Sequence, residues 1–328
     1  MSGERKREAW APTLRKEWQL HPKSPEGTEA MTTRVLILGA TGMLGHTLMR
    51  ELDGSEAHEV FGTARQVDLI RENFPSHLMD HIFTGIDARD VGAVTELLKR
   101  LEPSIVVNCI GVIKQDPAVT DAVNTITLNA LLPHLLVREC AGIGARLIHI
   151  STDCVFSGHG GGYVETDNPD PIDFYGRSKL LGEVTAPPAL TLRTSIIGHE
   201  LESARSLVDW FLSQSGAVNG FTGAIYSGLT TTELARLLTS VIFPRNDLVG
   251  LLHVASTPIS KYELLSIIAD EYKWTGEIVP FDEYICDRSL SAEVLFSKTG
   301  YRPPPWRQMI EEMHHSVTGW RQINEGGS

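Results

Sequence analysis

Residues 34–45 have the sequence RVLILGATGMLG, in which an apolar run passes directly into a glycine-rich turn. A short, fully apolar and β-branched run is typical of a buried parallel strand. Gly39, Gly42 and Gly45 follow it at G-x-x-G-x-x-G spacing. The first glycine permits a tight turn, the second lets a pyrophosphate approach the backbone, and the third lets a helix pack on the strand. Because free N–H groups at a helix start favour phosphates, this stretch predicts a dinucleotide-binding strand–turn–helix.

Apolar runs and helical patterns alternate beyond this turn, at intervals of about thirty residues. A helical pattern over residues 91–101 ends before Pro103, and a longer helical stretch runs to Cys140 and stops at Gly142 and Gly144. The alternation predicts an α/β fold, a doubly wound parallel sheet (Rossmann-like) with a second, smaller α/β substrate domain. The predicted strands are residues 35–38, 58–63, 81–86, 104–111 and 146–151.

Composition restricts the class of protein. The 328 residues are 42% hydrophobic and 21% charged, which supplies a sizeable core and excludes wholesale disorder. A formal charge of −12 argues against a nucleic-acid partner. The four cysteines lie far apart without CxxC spacing, which predicts reduced thiols rather than a disulfide framework or a metal site. With no long apolar run and no secretory leader pattern, we expect a cytoplasmic protein without a membrane partner.

The two ends of the chain differ in composition from the alternating region. Residues 1–30 contain six Lys/Arg and five Asp/Glu and no sustained apolar period, which predicts a flexible tail. The alternative is a partner-binding arm that uses Trp10 and Trp18. The predicted dinucleotide domain comprises residues 31–194 plus about 222–256, and the predicted substrate domain comprises about 195–221 plus 257–320.

The end of the second strand bears on the choice of cofactor. An acidic residue there bonds the adenosine 2′-hydroxyl of NAD, whereas an arginine pairs with the 2′-phosphate of NADP. This strand ends in Arg65, and Asp68 comes later. The sequence favours NADP(H), with NAD(H) as the alternative and a solvated turn as the other interpretation of Arg65. Asp87, after the third strand, is placed to meet the adenine amino group or to cap a helix or turn.

A tyrosine and a lysine share one helix face in the sequence YGRSK, residues 175–179. A lysine ammonium beside a phenol lowers the pKa of the phenol toward working pH, as a general acid or base requires. Such a pair is common by chance, but Ser151-Thr152-Asp153 follows the fifth predicted strand. A hydroxyl there can polarise a substrate carbonyl alongside Tyr175.

Together these elements resemble the extended short-chain dehydrogenase/reductase superfamily, and more closely its dTDP-4-dehydrorhamnose reductase branch of sugar-nucleotide reductases. The resemblance covers about residues 33–320. Besides the glycine-rich turn, it is carried by HISTDCVFSG (residues 149–158), GYVETDNPDPIDFYGRSKLLGE (162–183), LRTSIIG (192–198), SGLTTTELARLL (227–238) and DRSL (287–290).

The resemblance implies NADPH-dependent reduction of the 4-keto group of a nucleotide-linked 4-keto-6-deoxy sugar, in deoxysugar or polysaccharide biosynthesis. Thr152, Tyr175 and Lys179 match the catalytic residues, with Tyr175 protonating the alkoxide and Lys179 also bonding the nicotinamide ribose. The implied cofactor contacts are Gly39, Thr41, Gly42, Met43, Leu44, Gly45, Arg65, Asp87, Ala88, Ile110, Gly111, Tyr175 and Lys179. The implied substrate contacts are Val112, Asp153, Phe156, Ser195 and Arg288, and no metal is expected. Arg288 is placed near the substrate diphosphate, with a surface salt bridge as the alternative.

Two departures and two alternatives qualify this resemblance. Ile196 stands where rhamnose reductases carry a tryptophan, and the second strand has no acidic tip. Asp153 is followed by Cys154 rather than glutamate, which disfavours a 4,6-dehydratase. The alternatives are a sugar-nucleotide epimerase and a non-catalytic nucleotide-binding regulatory subunit of the same fold. The sequence is compatible with a homodimer, and it identifies neither the sugar nor the nucleotide base.

Overall fold

The computed structural model describes residues 32–325, with side chains described as far as residue 316. The predicted tail, residues 1–30, lies outside these residues. From Thr32 onward the chain forms one compact unit. The division of this unit into a dinucleotide domain and a substrate domain stays a prediction. No helix in the described part of the chain combines the length and apolar content that a membrane crossing requires.

The central element of the fold is a seven-stranded sheet in the order β11-β6-β5-β4-β1-β2-β3. All of its strand pairs are parallel, so the predicted doubly wound parallel sheet is confirmed. The strands, in chain order, are β1 (Thr33–Leu38), β2 (His58–Ala64), β3 (Ile82–Thr84), β4 (Ile105–Asn108), β5 (Arg146–Thr152), β6 (Ala189–Thr194), β7 (Ile196–Ile197), β8 (Ala217–Phe221), β9 (Ala224–Tyr226), β10 (Leu229–Thr230), β11 (Gly250–His253), β12 (Ile259–Ser260), β13 (Glu277–Phe281) and β14 (Cys286–Asp287).

Residues 35–38 of strand β1 are all apolar because both faces of the strand are buried there. Val35 and Ile37 pack into the core on one side of the sheet, and Leu36 and Leu38 pack into the core on the other. This is the burial pattern expected of a parallel strand covered by helices on both faces. The strand also lies between β2 and β4, at the point where the strand order reverses. A ligand crevice is expected beyond the carboxyl end of β1 for that reason.

Helices cover both faces of the sheet, and their ends agree with local sequence signals. The helices are α1 (Met43–Glu51), α2 (Asp68–Asn73), α3 (Ser76–Met79), α4 (Val91–Leu101), α5 (Ala122–Thr125), α6 (Leu132–Ile143), α7 (Phe174–Leu181), α8 (Leu207–Leu212), α9 (Thr231–Leu237), α10 (Lys261–Tyr272), α11 (Glu293–Thr299) and α12 (Trp306–Glu325). A π-helical segment, Ile126–Leu131, joins α5 to α6. Helix α6 ends at Gly144 with φ +72°, a left-handed conformation that glycine adopts without strain.

Two of the predicted strands are shorter in the structure than in the sequence pattern. The third spans residues 82–84 instead of 81–86, and the fourth spans residues 105–108 instead of 104–111. The apolar residues that follow β4 leave the sheet and line a cavity at its carboxyl edge. A pattern of apolar residues cannot distinguish these two environments.

The strands from β7 onward, apart from β11, form three smaller sheets in the described part of the chain. They have the orders β10-β7, β12-β9-β14 and β13-β8. In the three-stranded sheet, β9 is antiparallel to β12 and parallel to β14. This sheet brings Tyr226 and Cys286 to the carboxyl edge of the central sheet, where both line the same cavity.

Candidate active site

A cavity of about 780 Å³ lies along the carboxyl edge of the central sheet. Its walls come from the turn after β1, the ends of β2, β4 and β5, helix α7 and strand β9. In open α/β sheets, ligands bind outside the carboxyl ends of strands at the reversal of strand order. The lining includes every predicted site residue except Gly45 and Phe156.

The glycine-rich turn forms one end of the cavity. Gly39 has φ +87°, its N–H donates to Thr63 Oγ1 at 3.1 Å, and the N–H of Ala40 donates to the Thr63 carbonyl at 2.8 Å. These bonds fix the turn to the end of β2. Gly42 precedes α1, and no side chain of the described residues caps that helix start. The first N–H groups of α1 are therefore available to a phosphate.

Gly45 supports this turn from outside the cavity. A Cβ atom at residue 45 would lie 2.0 Å from the carbonyl oxygen of Gly39. Only glycine lets α1 approach the turn this closely. The sequence predicts both a packing role and a cofactor contact for Gly45. The structure shows the close packing, whereas Gly45 does not line the cavity and its cofactor contact stays a prediction.

Two arginines, Arg65 and Arg89, line the cavity beyond the ends of β2 and β3. Arg65 is exposed at the end of β2. The Asp87 carboxylate accepts hydrogen bonds from the backbone N–H of Arg89 at 2.9 Å and from Arg89 Nε at 2.9 and 3.0 Å. The hydrogen-bonded Arg89 holds the pKa of Asp87 below its usual range, with a smaller contribution from Arg65. Asp87 thus has the turn contacts that the sequence left as an alternative, and it orients a second arginine toward the cavity wall.

A buried asparagine holds the loop after β4. Asn129 accepts the Val112 N–H at 2.8 Å and donates from Nδ2 to the Val112 carbonyl at 2.9 Å and to Ser178 Oγ at 3.0 Å. The loop residues Ile110 and Gly111 thereby face the cavity between the glycine-rich turn and α7. Sequence reasoning named Ile110, Gly111 and Val112 but missed the asparagine that positions them.

Helix α7 presents Tyr175 to the cavity. Asp173 caps the helix by accepting the Gly176 N–H at 2.8 Å. A Cβ at Gly176 would lie 2.2 Å from the Cys154 carbonyl oxygen, so glycine lets α7 approach the end of β5. Burial raises the pKa of Tyr175 well above its ordinary value, and a contact with the Thr152 hydroxyl opposes this rise only in part.

Lys179 is buried one helical turn after Tyr175. Its Nζ donates to the Ile150 carbonyl at 2.7 Å. Burial lowers the pKa of Lys179 to about 8, while Glu183 acts in the opposite direction. The spacing of Tyr175 and Lys179 predicts that this ammonium lowers the pKa of the phenol. That prediction is wrong for this structure, because the ammonium is engaged by a backbone carbonyl and desolvation dominates at Tyr175.

Thr152 and Asp153 lie at the carboxyl end of β5, and both are buried. The Thr152 hydroxyl donates to Asp153 Oδ1 at 3.1 Å and accepts the Cys154 N–H at 3.1 Å. Burial raises the pKa of Asp153, and Arg288 is the strongest opposing influence. Ser195, after β6, also contacts the carboxyl group.

Cationic side chains line the substrate end of the cavity. Lys114 pairs with Asp173 at 2.8 Å. Arg288 donates from Nε to the Phe156 carbonyl at 2.8 Å and lies in the cavity wall, which rules out the alternative of a surface salt bridge. Lys261 is the first residue of α10, and burial lowers its pKa. An anion is the complementary ligand for such a surface.

Phe156 does not contact the cavity. Its side chain is fully buried and stacks on Tyr163, with ring centroids 4.1 Å apart. The predicted substrate contact of Phe156 is therefore wrong, because the extended segment after Thr152 directs this ring into a small core. The residue contributes through its carbonyl oxygen, which holds Arg288.

Arg89, Lys114, Lys261 and Tyr226 are four of the cavity-wall residues that the sequence did not indicate. Only Lys261 had a usable signal. Ser260 and Glu263 have the spacing of a capping box, and the structure contains both of its hydrogen bonds. A helix start facing the cavity would have directed attention to the lysine beside it.

With this geometry in place, comparison with known proteins gives the family. Residues 33–318 match the family model described as RmlD substrate binding domain. The chain belongs to the RmlD family. The predicted resemblance to dTDP-4-dehydrorhamnose reductases is thereby confirmed at the level of the family.

Among curated relatives of this RmlD-family chain, the Bacillus subtilis spore coat polysaccharide biosynthesis protein SpsK is 26% identical over 301 residues, which cover 85% of the chain and 96% of SpsK. The rat methionine adenosyltransferase 2 subunit beta is 35% identical over 153 residues, which cover 46% of the chain and 41% of the rat protein. The chain thus spans about two fifths of the length of that relative.

Solved structures of the same fold include a dTDP-4-dehydrorhamnose reductase from Bacillus anthracis in complex with NADP. Its TM-score is 0.72 at 23% identity, and the alignment covers 87% of the RmlD-family chain and all of the Bacillus chain. At this identity the likeness supports the fold alone, and it agrees with the doubly wound sheet described above.

Proposed function

We propose that this RmlD-family chain reduces the 4-keto group of a nucleotide-linked 4-keto-6-deoxy sugar with NADPH, in deoxysugar or polysaccharide biosynthesis. The observation that carries the proposal is the convergence of Thr152, Tyr175 and Lys179 on one cavity that also contains the glycine-rich turn. A phenol, a hydroxyl and an ammonium beside a dinucleotide cradle form the set that ketone reduction requires.

The residues present fit a nicotinamide dinucleotide. Gly42 lines the cavity at an α1 start that no side chain of the described residues caps, and a Cβ at Gly39 would lie 3.0 Å from the Ile110 side chain. A pyrophosphate fits against such a bare backbone surface. When bound, this cofactor supplies a hydride. Arg65 and Arg89 at the adenosine end support NADP(H) over NAD(H), because guanidinium groups pair with a 2′-phosphate.

Tyr175 is the proton donor in this proposal. Burial holds its pKa above the ordinary value, so the phenol keeps its proton at neutral pH and can release it only to a strong base such as an alkoxide. Lys179 bonds the Ile150 carbonyl at 2.7 Å, which fixes its ammonium within the wall that we assign to the nicotinamide ribose. Besides the hydride that NADPH would supply, reduction thus needs only a proton, which Tyr175 already holds in the cavity wall.

The substrate end supports a nucleotide-linked ligand. Arg288, Lys114 and Lys261 line this part of the wall, and only Lys114 has a carboxylate partner among the ion pairs of the described residues. A diphosphate carries the complementary charge. Val112, Asp153 and Ser195 remain the proposed polar and apolar contacts of the sugar.

A second candidate function is that of a non-catalytic regulatory subunit. It is favoured by the 35% identity to the rat methionine adenosyltransferase 2 subunit beta over 153 residues. The presence of Thr152, Tyr175 and Lys179 in one cavity favours an enzyme, because a regulatory nucleotide site needs no proton donor. A sugar-nucleotide epimerase is the third alternative.

One experiment tests these alternatives together. Purified protein is incubated with NADPH and with dTDP-, UDP- or GDP-linked 4-keto-6-deoxy sugars, and NADPH consumption and product structure are measured. We expect consumption with at least one nucleotide, and loss of it in Tyr175→Phe. Cofactor and nucleotide binding without consumption would favour the regulatory subunit, and interconversion of sugars without net consumption would favour the epimerase. Cytoplasmic location and a homodimer stay predictions.

A further inference from the structure

The Thr152 hydroxyl has a single proton, and the structure shows where that proton is used. Thr152 Oγ1 donates to Asp153 Oδ1 at 3.1 Å. The same oxygen accepts the Cys154 N–H at 3.1 Å. A hydroxyl has one donor and two acceptor positions. While Asp153 is ionised, the one donor position of Thr152 is used by the Asp153 carboxylate, and Thr152 has no proton to offer a substrate carbonyl.

Asp153 lies among groups that act on its ionisation in opposite directions. Its side chain is buried, with 8% of the residue exposed. The cations that face it are Arg288 and Lys261, the hydroxyls are those of Thr152 and Ser195, and the remaining titratable neighbours are Cys154, Tyr175 and Tyr226. Burial favours the neutral acid, whereas the two cations and the hydroxyl donors favour the carboxylate.

Protonation of Asp153 changes the direction of this hydrogen-bond chain. A neutral carboxyl group can donate to Thr152 Oγ1, which then accepts from Asp153 and from the Cys154 N–H. The Thr152 proton becomes free to point into the cavity, which Tyr175 also lines. The Thr152 and Tyr175 protons can then be directed at one oxygen atom in the cavity.

We propose that Asp153 is a positioning residue whose neutral form releases the Thr152 hydroxyl toward the substrate keto oxygen. This inference rests on the proposed ketoreductase function. Asp153 transfers no proton to the substrate; Tyr175 still supplies the proton of the alcohol product, and Asp153 sets only the direction of the hydrogen bonds.

The charge of the substrate is coupled to this step. A diphosphate beside Arg288 and Lys261 offsets the two cations that favour the Asp153 carboxylate. Binding of the nucleotide-linked substrate therefore promotes protonation of Asp153. The Thr152 hydroxyl therefore turns toward the keto oxygen when an anionic ligand occupies the cavity. For the same reason, we expect free ketones without a diphosphate to be poor substrates.

The first test compares the pH dependence of kcat/KM for keto-sugar reduction in the wild type and in Asp153→Asn. Because Arg288 only donates, it attracts the amide oxygen, so the amide N–H of the variant faces Thr152 and imitates the neutral acid. We expect wild-type activity to fall about tenfold per pH unit above the pKa of Asp153, and the variant to lack this decline. Persistence of the decline, or an inactive variant that still binds NADPH and remains folded, overturns the inference.

Two further variants separate Asp153 from other titrating groups. Asp170, whose carboxylate accepts the Ser157 N–H at 2.7 Å outside the cavity, gives the matched control Asp170→Asn, which should keep the wild-type profile. Lys261→Met removes a cation that favours the Asp153 carboxylate, so the decline should move to higher pH. A Lys261→Met profile that does not move, or moves to lower pH, contradicts the inference.

An activity-independent measurement keeps the inference testable if no keto sugar is reduced. The carboxyl carbon of Asp153 is titrated by ¹³C NMR in the ligand-free wild type and in Thr152→Val. Loss of the Thr152 donor should raise the pKa of Asp153. An unchanged pKa shows that the hydrogen bond does not have the proposed direction. Absence of turnover in the wild type would instead refute the proposed function.

Discussion

Tyr175 combines a half-buried side chain with a position at the carboxyl edge of the sheet. Its pKa is raised because the protein gives the phenolate little solvation, and the Lys179 ammonium is engaged by the Ile150 carbonyl instead. A donor of this kind is selective. It keeps its proton in water at neutral pH and yields it to an alkoxide, the one strong base that ketone reduction creates beside it.

Replacement of Tyr175 by phenylalanine removes this proton and keeps the ring. We expect turnover to fall by about 10²- to 10⁴-fold, because general acid catalysis contributes about that much. NADPH binding should persist, since the ring still fills its place in the wall. Steady-state kinetics and cofactor titration check both expectations. Near-full reductase activity of Tyr175→Phe on the true substrate contradicts the assigned role.

Lys179 is expected to affect binding and turnover together. The ammonium is buried and bonded to the Ile150 carbonyl, so Lys179→Ala removes a cation from the cofactor wall and leaves that carbonyl without its donor. Both the Kd for NADPH and kcat should worsen, whereas Tyr175→Phe worsens only kcat. Arg177→Ala, an exposed position on the same helix, is the control. A Lys179→Ala variant with normal NADPH affinity would exclude the ribose contact.

The proposed preference for NADP(H) depends on two exposed arginines, Arg65 and Arg89. A good arginine–phosphate contact is worth about 1.5–3 kcal/mol, or about ten- to a hundredfold in affinity. We expect Arg65→Ala and Arg89→Ala each to weaken NADPH by that factor and to leave NADH unchanged. Arg71→Ala is the control, because Arg71 pairs with Asp68 away from the cavity. Equal or tighter binding of NADH to the wild type refutes the preference.

The sequence alone identifies some residues of the site and not others. Motif residues such as Tyr175 and Gly39 follow directly from chain-local patterns, and both line the cavity. Arg89 could not be recognised, because its orientation depends on the carboxylate of Asp87 two residues earlier. Phe156 was assigned wrongly, because nothing local distinguishes a ring in a core from a ring in a binding site.

Among the elements, the strand–turn–helix from β1 to α1 has a tight packing constraint. A Cβ at Gly45 would lie 2.0 Å from the Gly39 carbonyl oxygen, a backbone atom that cannot move without opening the turn. We expect Gly45→Ala to lower the free energy of unfolding by at least about 1–3 kcal/mol, as overpacking does, and to weaken NADPH binding. Urea denaturation and cofactor titration measure the two effects.

Gly142→Ala is the matched control for this element. Gly142 lies inside α6, and a Cβ there would meet nothing within 4 Å. Alanine should therefore stabilise the protein by about 0.5–1 kcal/mol through helix propensity alone. If Gly45→Ala is as well tolerated as Gly142→Ala, the turn is more adaptable than its geometry indicates.

The elements missed by sequence are those whose stability depends on distant partners. Strand β6 is fully buried yet contains Arg193, so its pattern does not resemble a core strand. The structure shows the compensation: Arg193 forms a buried ion pair with Glu183 at 2.7 Å and a hydrogen bond with His253 Nε2 at 3.3 Å. Buried charges need such partners. Pairs this far apart in sequence cannot be inferred from periodicity.

Across the whole molecule, buried neutral histidines are the main acid-sensitive feature. His46 donates through its ring to the Gly42 carbonyl, at 2.9 Å, and burial lowers its pKa to about 3. His149 is fully buried beside Asn108, and burial lowers its pKa well below the ordinary value. In both cases the folded protein binds a proton less readily than the unfolded chain, whose histidines titrate near 6.5.

Stability should therefore fall as the pH drops below about 6.5, because the unfolded chain takes up protons that the folded protein refuses. The loss is about 1.4 kcal/mol per pH unit for each such histidine, continuing for His46 until its folded pKa of about 3. Glu51, Glu233 and Asp153 act in the opposite direction at lower pH, because their pKa values are raised.

The contribution of His46 can be measured by urea denaturation of the wild type and of His46→Asn, each at pH 7.0 and at a mildly acidic pH. Asparagine keeps a donor for the Gly42 carbonyl but cannot titrate, so the variant should lose less stability on acidification by about 1.4 kcal/mol per pH unit. Identical pH dependence of the two proteins would mean that His46 has the same pKa in the folded and unfolded states, contrary to its burial.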